Sequence, residues 1–86
     1  RQLGCLYIDS DANWDNFAIA AKQLVSLIDA TIVSQDIGAD LHRWVIDFEG
    51  TRLFLFFEET SESLWLELDR IEEQEVLDYI EKLIRS

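Results

Sequence analysis

At 86 residues the chain has material for a single domain near the lower end of what folds without staples, and its 49% hydrophobic and 12% aromatic content supplies a packed interior that a disordered acidic segment lacks. A formal net charge of -11 repels phosphate backbones, so direct nucleic-acid binding, which needs clustered Lys and Arg, is set aside. The longest apolar run, residues 53–57, falls far short of the roughly 18 residues needed to span a bilayer.

A first strand is expected at about 3–9, holding the one cysteine, Cys5, which cannot close an internal disulfide and reads as a small core or edge residue rather than a nucleophile. A lone thiol fits a reducing cytoplasm. The chain begins at Arg1 and contains no Met, so its natural N-terminus is expected to have been lost and the lack of a signal peptide carries little weight. The first helix is expected at 14–29. Asp11 and Asn13 offer capping oxygens ahead of Trp14, Phe17, Ala18, Ala21, Leu24, Val25 and Ile28 at helical spacing. Its polar stripe is narrow, and Ile19 and Leu27 lie off the main apolar face, where a second subunit is one candidate cover.

A second strand follows at about 31–37, then a meander of three at 42–49, 52–59 and 64–69, and a closing amphipathic helix at 71–85. No Pro, Gly/Ser linker or repeat divides the chain, which leaves one domain over 1–86. The order βαββββα predicts an α+β two-layer sandwich, a mainly antiparallel sheet of about five strands with both helices on one face. The first strand can sit beside the second or across the sheet from it.

Gly50 marks a tight hairpin, and an even loop there puts Trp44, Ile46 and Phe48 on the same face as Leu53, Leu55 and Phe57. A four-residue turn, residues 60–63, adds Leu64, Leu66 and Leu68. The opposite face mixes aromatics with charges: Arg43, Val45, Asp47, Arg52, Phe54, Phe56, Glu58, Trp65 and Glu67. Phe54, Phe56 and Trp65 exposed together make a patch of the size that marks an interface, unless a neighbouring segment shields it.

Three constellations bear on chemistry. Residues 9–15 open like a calcium loop, but Trp14 stands where such a loop needs Gly and Ala20 where it needs a bidentate Glu, so strand exit and helix capping account for them better. Asp40, His42 and Glu59 share the core-side parity at one end of the sheet. A carboxylate beside an imidazole there suits proton transfer or a metal, and equally a structural bond, with no nucleophile motif to complete a catalytic site. Glu72, Glu73 and Glu75 point in different directions from one helix start and form no ready chelate. Residues 57–86 nevertheless carry ten acids against Arg70, Lys82 and Arg85, an acidic pole that also serves solubility.

Residues 38–44 (Gly-Ala-Asp-Leu-His-Arg-Trp), 48–50 (Phe-Glu-Gly) and 61–67 (Ser-Glu-Ser-Leu-Trp-Leu-Glu) resemble the signature of a family of small acidic proteins of unknown function from marine and related gammaproteobacteria, with weaker likeness around Trp14 and Phe17. That resemblance implies a bacterial, cytoplasmic setting and transfers no activity, cofactor or site.

The functional expectation is a non-enzymatic interaction domain, a homodimer or a partner-binding module, with no cofactor. Its interface would use Val45, Phe54, Phe56 and Trp65 or the surplus apolar surface of the first helix at Ile19 and Leu27. An acidic inhibitor or nucleic-acid mimic directed at a basic partner, and a metal or acid/base site at Asp40, His42 and Glu59, are the alternatives.

Overall fold

In a computed structural model, described here over residues 4–8 and 11–85, the chain folds into an open five-stranded antiparallel sheet with two helices, an α+β arrangement. The elements are β1 (Cys5–Ile8), α1 (Phe17–Leu27), β2 (Thr31–Ile37), β3 (Leu41–Phe48), β4 (Thr51–Glu58), β5 (Ser63–Leu68), a 3-10 turn (Ile71–Glu73) and α2 (Gln74–Arg85). The strand order is β1-β5-β4-β3-β2, so the first two strands lie at opposite edges.

The meander follows from strict period-two alternation closed by short turns. Between β3 and β4 the two-residue loop Glu49-Gly50 takes left-handed φ values of 52° and 88°, the pair that a tight hairpin matched to strand twist requires. Gly50 donates its N–H to Asp47 Oδ1 at 2.9 Å, which pins the turn. The resulting register sets Trp44 opposite Leu55 and Ile46 opposite Leu53. Between β4 and β5 the connection runs from Glu59 to Glu62, one residue earlier than the spacing suggested, because Ser63 already pairs with Glu58. Leu64, Leu66 and Leu68 then oppose Phe57, Leu55 and Leu53. All eight of these core-side residues are buried, as is Phe48 at the end of β3.

Both helices lie on that face. Phe17, Ala21, Leu24, Val25 and Ile28 from the α1 segment and Leu77 and Ile80 from α2 join the sheet in one core. Helix α1 begins at Phe17 rather than 14, since Asn13 caps a separate turn: its Oδ1 accepts the N–H groups of Asp15 and Asn16, both at 2.9 Å. Asn16 Oδ1 in return accepts the Asn13 N–H at 2.7 Å. Asp9 and Ser10 of the calcium-loop comparison lie outside the described residues.

At the other end α1 stops at Leu27, and Asp29 swings to φ 58°. The Ala30 N–H reaches Val25 O at 2.9 Å and the Asp29 N–H reaches Ser26 O at 3.1 Å, the paired bonds of a Schellman ending. That ending ordinarily takes glycine. An L-residue there is strained, and a carboxylate at a helix C-terminus opposes the dipole. Asp29→Gly is therefore expected to stabilise the fold by about 1 kcal/mol, the left-handed penalty less glycine's extra chain entropy, read as a raised urea midpoint with unchanged slope.

Candidate functional site

The face turned away from the helices is organised in rows across the strands. Tyr7 pairs with Trp65, Trp65 with Phe56, Phe56 with Arg43, and Arg43 with Asp36, so one row crosses all five strands. The neighbouring row runs Cys5, Glu67, Phe54, Val45, Ser34. Ring centroids of Tyr7 and Trp65 lie 5.5 Å apart, and those of Phe56 and Trp65 lie 5.3 Å apart with planes 22° from parallel. These separations are close to the spacing between adjacent strands, roughly 4.8 Å. The rings therefore stand beside one another on the sheet and turn their faces to each other. Together they form a contiguous aromatic surface of the kind that meets an apolar protein surface.

Arg43 covers the end of the row, its guanidinium 4.8 Å from the Phe54 ring centroid and 3.9 Å from Asp36. Trp65 Nε1 donates to Glu67 Oε1 at 3.3 Å. Phe54, Phe56 and Trp65 are half-buried by these mutual contacts, Tyr7 is 56% exposed, and Val45, on the same face, is buried at 8% and forms the floor rather than the surface of the patch. Tyr7 belongs to the row and was not among the sequence candidates. Its alternation with Leu6 and Ile8 was visible, but pairing with a strand almost sixty residues away was not. On α1, Ile19 and Leu27 are 64% and 58% exposed.

Cys5 Sγ lies 3.6 Å from Glu67 Oε1. Burial, with the adjacent carboxylate adding to it, pushes its thiol pKa up, which holds the sulfur as the unreactive thiol.

The structure does not gather the Asp40, His42 and Glu59 side chains into one polar site. Asp40 and Glu59 are joined through the main chain, Glu59 N–H donating to Asp40 O at 2.9 Å, and both are exposed. His42 points into the core and is held by rings, with centroids 4.1 Å from Trp14 and 4.6 Å from Phe17. Among the described residues neither of its ring nitrogens reaches a partner at hydrogen-bonding geometry. Burial lowers its pKa, and the nearby Trp14 main chain opposes that only in part. Among the described residues no group of three His, Cys, Asp or Glu side chains is placed to hold a metal ion. At the acidic pole Glu73 is tied down by Thr51 Oγ1 at 3.2 Å, while Glu72 and Glu75 face solvent.

The model of a family described as Protein of unknown function (DUF3630) matches residues 1–85. The chain belongs to this family. The match agrees with the resemblance to an uncharacterised family and extends from residues 38–67 to almost the whole chain. No curated protein matches the chain, and no solved structure matches it. Membership in DUF3630 carries no activity with it.

His42 generates a pH prediction. Its folded pKa lies below its unfolded value of about 6.5, so below that pH the unfolded chain binds more protons and stability falls as pH falls, levelling off beneath the folded pKa. Urea unfolding between pH 8 and 5 should show this slope. His42→Phe, which keeps a ring in the aromatic box and removes two unbonded nitrogens, should flatten it without loss of stability at pH 7.

Proposed function

We propose that this chain is a non-enzymatic protein-binding domain of the bacterial cytoplasm whose docking surface is the outer sheet face centred on Phe54, Phe56 and Trp65. The observation that carries the reading is the row Tyr7, Trp65, Phe56, Arg43: a continuous aromatic band across the sheet, ended by a guanidinium, that no element among the described residues covers. Large aromatics and Arg are the residues that supply hot-spot energy at interfaces, and here they sit on strands whose register is fixed from beneath by a full core.

The partner is a protein with an apolar centre and a basic rim. Asp36, Asp47, Glu58 and Glu67 outnumber Arg43 and Arg52 on this face, and the chain as a whole carries -11, so approach of an acidic surface is opposed and that of a basic one favoured. Ile19 and Leu27 offer a second apolar patch on the opposite side of the molecule.

The test is binding of a partner captured on the immobilised chain, measured for wild type, Trp65→Ala and Phe56→Ala, with folding of each variant checked by circular dichroism. Each substitution is expected to weaken binding by about 30-fold or more, in low and high salt alike. Binding untouched by both substitutions would remove the outer face as the site. Binding abolished by salt but indifferent to them would favour the acidic-pole inhibitor instead.

A further inference from the structure

The two edges of the sheet differ. β1 is four residues long and has α2 packed against it, whereas β2 runs for seven residues, is almost wholly exposed, and pairs with β3 on one side only. Edge strands in soluble proteins are usually blunted by Lys, Pro, several charges or a bulge, and the one bulge of β2, between Ile32 and Ser34, leaves residues 34–37 regular. In residues 31–37 the one charge is Asp36, which Arg43 already approaches from within the sheet. Val33 is 49% exposed and Ile37 is 71% exposed, the highest value among the large hydrophobic residues described.

We propose that β2 pairs antiparallel with β2 of a second copy of this chain, about a two-fold axis through Gln35, giving a continuous ten-stranded sheet. This inference stands apart from the outer-face reading. The register follows from parity. A two-fold axis perpendicular to the sheet keeps both helix layers on one side and requires directly opposed residues to share a face, so the axis passes through a residue. A bulge at Val33, which has no partner between the paired Ile32 and Ser34, breaks the alternation, so the regular ladder is residues 34–37 with Val33 at its end, and centres at Val33 or Ser34 are rejected. A centre at Asp36 sets two carboxylates against each other. A centre at Ile37 runs the ladder into Gly38 and Ala39, beyond the strand. A centre at Gln35 sets Val33 opposite the second copy's Ile37, Ser34 opposite its Asp36, and Gln35 opposite itself. Apolar meets apolar, a hydroxyl meets a carboxylate, and no like charges are opposed.

Two chains of -11 repel at long range while the contact itself is main-chain and apolar, so salt strengthens this pairing. Light scattering over a dilution series, in low and high salt, is expected to show a mass that rises to two chains with concentration, at lower concentration in high salt. Val33→Lys with Ile37→Lys places lysine against lysine twice and is expected to weaken dimerisation roughly tenfold or more. Val33→Lys with Ile37→Glu places opposite charges in the same two pairs and is expected to restore it. A monomer at every concentration overturns the proposal, as does a dimer that ignores the double lysine or is not recovered by the charge pair. Should the double lysine not fold, hydrogen exchange on the wild type decides: amides of residues 33–37 slow with rising concentration if the edge is paired, and exchange at one rate throughout if it is not.

Discussion

A chain of this length can cover only one face of a five-stranded sheet. The two helices contribute Phe17, Ala21, Leu24, Val25, Leu77 and Ile80 to one side, and that side closes into a core with every inward residue of the meander. Nothing described is left for the other side. The outer face therefore has to be stable against water by itself, and it achieves this by side-chain contact: ring against ring and Arg43 over Phe54 across strands, and Glu67 accepting the Trp65 indole N–H along β5. Pairs of this kind add roughly 0.5–1.5 kcal/mol each beyond the area they bury. The same contacts that make the face tolerable in water keep its rings in fixed positions, which lowers the entropy lost when another surface meets them.

The core-side histidine illustrates a different constraint. His42 has the parity of a core residue and is treated as one, with Trp14 and Phe17 closing over it from the α1 side and Phe57 beside it. Its nearest-parity acids, Asp40 and Glu59, lie past the strand ends where the chain turns into solvent. A buried imidazole without bonded nitrogens is tolerated because the neutral ring stacks like any other aromatic, and because lowering its pKa is less costly than burying a charge.

How far the sequence foretold this can be judged element by element. The meander was legible because alternation in three adjacent strands is a strong local signal and Glu49-Gly50 leaves little freedom of register. The antiparallel α+β class followed from it. The start of α1 was less legible: Asn13 does cap, but it caps a turn that precedes the helix, and local capping chemistry does not distinguish the two. The place of β1 was not legible at all, since a four-residue strand can complete either edge of a sheet, and the pairing that decides between them joins residues more than sixty apart, as with Cys5 and Glu67. Tyr7 was missed for that reason alone. At the candidate site, Phe54, Phe56 and Trp65 were placed correctly on the outer face by parity, whereas the burial of Val45 depends on the neighbours that flank it in three dimensions.

The Gly4 N–H donates to Gln74 Oε1 at 2.7 Å, and among the described residues β1 pairs only with β5. During synthesis the meander can pair as it emerges, each strand finding a partner only a few residues behind it, which is a low-entropy closure. β1 has no such nearby partner: Leu6 and Ile8 pair with Leu66 and Leu64, so their strand completes only with residues some sixty positions further along. The β1 edge of the sheet is thus closed across almost sixty residues and the β2 edge across a few, so the β1 edge carries the larger loop-closure entropy.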